Sequence, residues 1–419
     1  MTLRANQIAA LASAIERLQT FAAPADAVLS AYFRNHPESG QRDRSLIAEG
    51  AYAYLRHKRS LEAYAQSTEP RRLAIAVIVH ALGHSLRDVE PALKRQDVAW
   101  LAESKARRPE RLPPAAAADL PDWLWTRLGE LYGEEERTAL VRALNAPAPM
   151  DLRVNPMKLT RDEALVRLRG DGLDVAPTPH ASLGLRVRGR PALQRHPLFL
   201  DGSLEVQDEG SQLLAHLVAP RRGEMVVDFC AGAGGKTLLL GALMRSQGRL
   251  YAFDVDPTRL ARLTPRLRRS GLSNVHPQLI TSERDPKVKR LAGKIDRVLV
   301  DAPCTGLGTL RRNPDLKWRT GPDDVTELAQ KQKRILAAAA TLVKPGGRLV
   351  YATCSLLPEE NEAIVADFAA THPQFVPVDA STALAAAGVK LGTGPTLRLA
   401  PHRDGCDGFF AALFERSRK

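Results

Sequence analysis

From Asn6 to about Asn145 the apolar positions recur with the period of a helix. Ile8, Leu11, Ile15 and Leu18 form one stripe, Ile47, Ala51, Tyr54 and Leu55 another, and Leu73 to Leu82 is nearly all apolar. Leu124, Leu128, Leu131, Leu140 and Leu144 close the series, so residues 1–145 are expected to form an all-α domain. The stretch Asn145 to Pro149, NAPAP, punctuates the chain as a boundary. A strand is then predicted at Leu152 to Asn155, and a helix from Thr160, where Glu163 can complete a capping box. With the alternating stretch Leu183 to Val187, this predicts a small α/β connector over residues 146–203. From Leu204 onward, short apolar strands alternate with helical stretches: Val226 to Asp228, Leu250 to Asp254, Arg297 to Asp301 and Leu349 to Thr353. That alternation predicts a doubly wound, Rossmann-like α/β domain over residues 204–419 with a largely parallel sheet.

In such sheets ligands bind beyond the carboxyl ends of the strands, where Asp228, Asp254, Asp301 and Cys354 fall. The first strand runs into a glycine-rich turn, and the apolar helix after it begins near Leu238. A helix N-terminus with free amide groups suits a nucleotide-like ligand. The turn nearly matches a phosphate-binding loop, but Cys230 stands where that loop needs its first glycine. An adenosine-type cofactor held by Cys230, Ala231, Gly232, Ala233, Gly234, Gly235 and Lys236 is therefore favoured over ATP or GTP, and over a turn without a ligand. Asp254, at the end of the second strand, suits the ribose hydroxyls, while Asp256 suits the cap of a helix starting at Pro257.

Composition narrows the partners. The net charge is +13, from 60 basic and 47 acidic side chains, which favours a polyanion such as RNA without identifying one. Basic clusters occur at Arg56, Lys58 and Arg59, and at Lys94, Arg95, Lys105, Arg107 and Arg108, where solvated faces explain them as readily as ligands do. No run approaches the ~18 apolar residues of a membrane span, and Met1 to Thr20 has the pattern of an amphipathic helix, so a cytoplasmic protein without a membrane partner is expected. The four cysteines are far apart and lack C-x-x-C spacing, which argues against structural zinc and a disulfide scaffold; no metal is expected.

Two of those cysteines sit at strand ends. Asp301-Ala302-Pro303-Cys304 presents a carboxylate and a thiol together, and Tyr351-Ala352-Thr353-Cys354 presents a second thiol. Pro358-Glu359-Glu360 resembles the first turn of the helix that continues through Ile364 and Phe368. A lone cysteine is most often a small buried hydrophobe. Two at separate strand ends, with Asp301 between them and an adenosine-type site nearby, suggest nucleophilic catalysis. A pyrimidine C5 is a poor nucleophile until a thiolate adds at C6; an acid near N3 then stabilises the adduct, and a base removes the C5 proton before the thiol leaves. Cys304, Cys354 and Asp301 supply groups for that chemistry.

At these residues the chain resembles the RNA cytosine-5 methyltransferases, most closely the bacterial enzymes that modify 16S ribosomal RNA. The resemblance runs through DFCAGAGGKT at Asp228 to Thr237, DAPCTGLG at Asp301 to Gly308, RRNPDLKWR at Arg311 to Arg319, KPGG at Lys344 to Gly347, YATCS at Tyr351 to Ser355 and DGFF at Asp407 to Phe410. It also includes RVNPMK at Arg153 to Lys158, and the helical segment His36 to Arg59 is similar to an antitermination-factor-like RNA-binding domain. The resemblance implies that Cys354 attacks C6 of cytosine and that Cys304 assists release of the product. It also implies that Asp301 lies between methyl donor and base, that Cys230 to Lys236 wrap S-adenosylmethionine, and that Asp254 holds its ribose. DNA cytosine-5 methyltransferases use the Pro-Cys thiol instead, and the presence of Cys354 favours the RNA assignment.

The chain departs from that pattern in two places. Ala231 to Gly235 reads AGAGG where the family has AAPGG, exchanging a rigid proline for alanine. The carboxylate common after the third strand has no clear counterpart in Leu279 to Arg284, LITSER, which leaves Thr281, Ser282 or a shifted Asp285 as candidates near the adenine. Arg311, Arg312, Lys317 and Arg319 are expected to hold phosphates around an accessible base, with Trp318 either stacking or packing. The function implied is conversion of cytosine to 5-methylcytosine in 16S rRNA, free or in a partly assembled small subunit, with no required protein partner. A tRNA target and a non-enzymatic ribosome-assembly factor are the alternatives.

Overall fold

The computed structural model describes residues 3–105, 112–189 and 191–418. Arg107 and Arg108 of the second basic cluster lie outside the described residues. The chain divides into two compact units, Met1–Pro147 with Thr309–Pro322, and Ala148–Gly308 with Asp323–Lys419.

The first unit is helical, with principal helices Ala5–Leu18, Ala25–Asn35, Gln41–Arg56, Lys58–Ala65, Arg95–Lys105, Asp122–Leu131 and Glu134–Asn145. The periodic residues Ile8, Leu11, Ile15, Ile47, Ala51, Tyr54 and Leu55 form its core. The apolar run from Leu73 is split between the helix Pro70–Ala76 and a π-helical turn, Val77–Ala81. The first basic cluster is tied down within the unit. Arg56 is buried, Lys58 pairs with Glu62 at 2.9 Å, and Arg59 pairs with Asp122 at 2.6 Å.

Thr309–Pro322 belongs to this same unit, although it lies between the two cysteine motifs in sequence. Lys317 is fully buried, and its Nζ donates to the Arg56 carbonyl at 2.9 Å and to Asn145 Oδ1 at 2.7 Å. Burial pulls the Lys317 ammonium down to about 7. Trp318 Nε1 donates to the Leu55 carbonyl at 2.7 Å, and the Arg311 carbonyl accepts from Arg56 at 3.2 Å. This corrects two of the four expected phosphate contacts: Arg311 is 5% exposed and Lys317 is 0% exposed, so neither presents charge to a backbone phosphate. Trp318 packs against the helical core.

The second unit contains two sheets. In the smaller, β1 (Met150–Val154), β2 (Val175–Pro177), β3 (Gly184–Val187) and β4 (Leu204–Val206) lie in the order β2-β3-β1-β4 with antiparallel pairing. Helix Arg161–Gly170 packs on it; Thr160 and Glu163 form the expected capping box, and Ala164 and Leu168 join Leu152, Val154, Leu185 and Leu204 in the core. The larger sheet contains β5 (Met225–Asp228), β6 (Arg249–Asp254), β7 (Val275–Leu279), β8 (Ile295–Asp301), β9 (Val343–Thr353), β10 (Phe375–Val378), β11 (Leu397–Leu399) and β12 (Phe409–Arg416). Its order is β10-β12-β9-β8-β5-β6-β7, with β11 paired to β12. Strands β5 to β9 are mutually parallel where they pair, and β12 runs antiparallel to β9 and β10. The chain progresses outward from β5 in one direction through β6 and β7, then resumes on the other side at β8 and β9. The switch point, where a ligand crevice opens in such sheets, is therefore at the carboxyl ends of β5 and β8.

Candidate active site

A cleft of about 630 Å³ opens at that switch point, lined by residues from the ends of β5, β6 and β8 and from the loop after β9. Cys230, Ala231, Gly232, Ala233, Gly235, Lys236, Asp254, Asp301, Cys304 and Cys354 all line it; Gly234 is the member of the expected set that does not. Gly234 instead caps helix Gly235–Leu243 in the left-handed region at φ 82°, and a Cβ there would lie 2.1 Å from Leu263 Cδ1. Glycine is required on both counts.

Hydrogen bonds to the ends of neighbouring strands shape the turn. Ala231 N–H donates to the Phe253 carbonyl at 2.8 Å, Gly232 N–H to Asp254 Oδ2 at 2.7 Å and Gly234 N–H to the Ala231 carbonyl at 2.9 Å. Asp254 Oδ1 accepts from Asp256 N–H at 2.8 Å, and Asp256 caps helix Pro257–Ser270. Both aspartates line the cleft, and Asp256 also begins the helix.

Lys236 Nζ donates to Asp301 Oδ2 at 2.7 Å. Burial acts to lower the Lys236 ammonium, but the Asp301 carboxylate and nearby Cys354 and Asp228 outweigh it, so it is held above the ordinary lysine value. Asp228, at the end of β5, is 1% exposed; its Oδ2 accepts from Thr237 Oγ1 at 2.7 Å, while its Oδ1 has no partner among the described residues. Burial pushes the Asp228 carboxyl up to about 7. The turn's leading amides and this buried acceptor suit the amine, carboxylate and hydroxyl groups of an adenosyl amino acid.

The two thiols come together. Cys304 Sγ is 3.3 Å from Cys354 Sγ and accepts from Cys354 N–H at 3.4 Å. The hydrogen bond to Cys354, then burial, then the nearby Cys354 and Glu360 charges hold the Cys304 thiol well above its ordinary value. Burial, reinforced by Asp228, Asp301 and Asp254, does the same for Cys230, which stays protonated.

Glu360 joins the two cysteine loops and was not recognised from sequence. The chain forms a turn before helix Glu362–Thr371, so Glu360 is not in a first helical turn; its fully buried carboxylate points into the protein. It accepts from Thr305 N–H at 2.9 Å, Thr305 Oγ1 at 2.6 Å, Gln332 Nε2 at 2.9 Å and the Ser355 hydroxyl. The loops meet also through glycine: Gly308 N–H donates to the Cys354 carbonyl and Gly408 N–H to the Gly308 carbonyl, each at 2.8 Å. A Cβ on Gly308 would lie 2.3 Å from the Gly408 carbonyl oxygen, which explains why DAPCTGLG and DGFF each carry glycine at this crossing.

The third-strand position also differs from expectation. Asp285 caps the short helix Pro286–Lys289 and accepts from Thr281 N–H and Oγ1, at 2.8 and 3.0 Å, and is absent from the cleft lining. Glu283 lines the cleft instead, with Ile280 beside it, and lies 3.7 Å from Arg334. Glu283, the acidic residue of LITSER, was not among the sequence candidates Thr281, Ser282 and Asp285.

The strand order and this cleft define a Rossmann-like methyltransferase. The family profile described as 16S rRNA methyltransferase RsmB/F matches residues 215–415, and a profile for the RsmF/B-like ferredoxin-like domain matches residues 120–194. The probable ribosomal RNA small subunit methyltransferase B of Synechocystis is 35% identical over 312 residues, covering 74% of this chain and 69% of its own. The crystal structure of PH0851 aligns with a TM-score of 0.81 at 28% identity, covering 99% of this chain and 100% of that one. A methyltransferase homolog protein from Pyrococcus horikoshii aligns with a TM-score of 0.62 at 31% identity, over 73% of this chain and 100% of that one. The chain belongs to the 16S rRNA methyltransferase RsmB/F family of S-adenosylmethionine-dependent enzymes.

Proposed function

We propose that this chain is an RNA cytosine-5 methyltransferase that forms 5-methylcytosine in 16S rRNA. The observation that carries the reading is the pair of thiols, 3.3 Å apart, at the rim of the cofactor cleft. The turn Cys230 to Lys236 and the Asp254 carboxylate hold the cofactor, with Glu283 as the acceptor for its adenine amine. When bound, S-adenosylmethionine supplies an electrophilic methyl group.

The chain's own residues then act on the base. The Cys354 thiolate forms a bond to C6, and the ring electrons move toward N3 and C5. Asp301, whose carboxylate accepts from the Lys236 ammonium, relays a proton to N3 as the adduct forms. C5 becomes nucleophilic and accepts the methyl group. A base then removes the C5 proton, the C5–C6 double bond re-forms, the C6–S bond breaks to return the Cys354 thiolate, and N3 gives its proton back through Asp301.

Cys304 suits the removal of the C5 proton because its acidity depends on its neighbour. The hydrogen bond and charge of Cys354 are among the causes that keep Cys304 a thiol. Conversion of Cys354 to a thioether removes both, so Cys304 becomes easier to ionise at the stage when a base is needed. The helical residues 1–145, joined by Thr309–Pro322, are the proposed RNA-binding domain; the connector expected at residues 146–203 runs on through β4, and the remainder to residue 419 is the catalytic domain.

The test supplies labelled S-adenosylmethionine and unmodified total RNA, then separates the RNA by size and digests it to nucleosides. Label in 5-methylcytosine from 16S rRNA supports the reading. Label confined to tRNA changes the substrate, and tight rRNA binding without cofactor binding favours an assembly factor.

A further inference from the structure

Beneath the glycine-rich turn lies a cluster of charged side chains that the proposed chemistry does not use. Arg153 on β1 and Glu205 on β4 are cross-strand partners in the smaller sheet, 3% exposed each. Arg153 Nη1 donates to the Gly235 carbonyl at 2.6 Å and to Gln207 Oε1 at 2.5 Å. Glu205 accepts from Arg266 Nη2 at 2.9 Å and from Arg269 Nη2 at 2.6 Å. Arg266 Nη1 in turn donates to the Ala233 carbonyl at 2.5 Å. Arg266 lies on helix Pro257–Ser270, as does Leu263, the side chain that fills the space beside Gly234.

We infer that Arg153 and Arg266 are positioning residues for the cofactor, bracing the turn through the carbonyls of Gly235 and Ala233. The turn has glycine at 232, 234 and 235, so without restraint it would sample many conformations and lose that freedom on binding. The peptide units it offers are instead fixed one by one. Phe253 and Asp254 hold the amides of Ala231 and Gly232, the Ala231 carbonyl holds the amide of Gly234, and the two guanidinium groups hold the carbonyls of Ala233 and Gly235. Fixing the Gly235 carbonyl orients the Lys236 amide, which belongs to the same peptide plane and to the first helical turn, where amides have no intrahelical acceptor. Burial lowers the Arg153 guanidinium to about 10, with Glu205 opposing that shift, so it remains charged at neutral pH. Its charged hydrogen bonds to carbonyl oxygens are of the stronger kind.

A guanidinium is needed at Arg266 because it must reach Glu205 and the Ala233 carbonyl together; an ammonium is a single point charge. The smaller sheet thereby sets the shape of the cofactor turn, an arrangement that deepens the role of the Arg153 to Lys158 motif beyond the base chemistry. The inference rests on the assignment of this turn to the cofactor, and it is independent of which base is methylated.

The test measures S-adenosylmethionine and S-adenosylhomocysteine affinity by calorimetry for full-length Arg153→Met, Arg266→Met and Arg266→Lys, each checked for folding by thermal melting. Loss of either brace is expected to weaken both ligands by about tenfold, with the kinetic loss falling on KM for the cofactor rather than on kcat. In the Arg266→Met background, Ala233→Pro is expected to recover most of the lost affinity, because proline stiffens the turn without the guanidinium. If Arg153→Met does not fold, Arg266→Lys still tests the two-acceptor geometry. Folded variants with unchanged affinity overturn the inference, as does failure of Ala233→Pro to restore any binding. Gly234→Ala separates the causes. If it weakens the cofactor while the arginine variants do not, the brace is refuted and the turn retained; if none of them matters, the turn is not the cofactor site.

Discussion

Gly234→Ala is expected to damage cofactor binding through two separable costs. The first is backbone conformation: φ is 82°, and an L-residue in the left-handed region costs about 1–2 kcal/mol. The second is steric. The added methyl would lie 2.1 Å from Leu263 Cδ1 and 3.0 Å from Leu263 Cγ, and relieving such overpacking costs about 1–3 kcal/mol. Leu263 is fully buried, so it cannot simply swing into solvent. The turn is expected to absorb much of the strain, since its neighbours on the other side form the open cleft. The two costs sum to about 2–5 kcal/mol; if ~2–4 kcal/mol of that appears in binding, S-adenosylmethionine affinity falls by about 30-fold to several hundred-fold. Adding Leu263→Ala removes the collision but leaves the backbone term, so the double variant should bind about tenfold more tightly than Gly234→Ala while remaining weaker than wild type. Calorimetric titration of the three proteins reads both terms. Wild-type affinity in Gly234→Ala, or no recovery on adding Leu263→Ala, refutes the reasoning.

Asp228 makes stability depend on pH. Its folded pKa is raised from 3.8 to about 7, so its favourable contribution is complete below the unfolded value and is lost as pH rises to about 7, amounting to roughly 4 kcal/mol. Unfolding of cofactor-free Asp228→Asn in urea should therefore show its stability gaining on wild type between about pH 4 and 7, then levelling; a difference constant across that range contradicts the assignment. Glu360→Gln retains shape but turns an amide NH2 either toward Thr305 N–H and Gln332 Nε2 or toward the Thr305 and Ser355 hydroxyls, and is expected to destabilise the folded protein by about 2–4 kcal/mol in denaturant titration. A loss below about 0.5 kcal/mol would show that the buried carboxylate does not hold the two loops. Lys236→Met removes the partner of Asp301 and is expected to lower kcat by about 100-fold or more in single-turnover methyl transfer, whereas an unchanged rate would exclude Asp301 and Lys236 from acting as a pair.

The fold was legible where apolar pattern and strand ends coincide. Val226 to Asp228, Leu250 to Asp254, Arg297 to Asp301 and Leu349 to Thr353 each became the carboxyl-terminal part of a strand, because a short apolar run closing on a polar residue fits a buried parallel strand facing a crevice. Strand β7 was illegible: VHPQL carries proline and polar residues, and four of its five positions are not buried. That is tolerable at the edge of the sheet, where one side has no partner strand.

Charge misled more than hydrophobicity. Lys317 and Arg311 resemble phosphate contacts in RRNPDLKWR, yet the segment folds into the helical unit, where backbone carbonyls and Asn145 supply the acceptors for Lys317. No local pattern distinguishes a lysine that meets phosphate from one that meets buried carbonyls. Glu360 was hidden for the same reason, since its four donors come from Thr305, Ser355 and Gln332, separated from it in sequence by up to 55 residues. The placement of Cys304 beside Cys354 is likewise a tertiary result, although the end of one strand and the loop at another already put both thiols on the same rim.

The central claim is that Cys354 becomes covalently bonded to the target base while Cys304 is needed to release it. The direct measurement incubates Cys304→Ser with S-adenosylmethionine and unmodified 16S rRNA or small-subunit particles, resolves the products on a denaturing gel, and maps any RNA-linked peptide by mass spectrometry. A cofactor-dependent adduct on the peptide containing Cys354, absent from Cys354→Ala/Cys304→Ser, is the expected result. An adduct at another residue, or full turnover to 5-methylcytosine by Cys354→Ala, would contradict it.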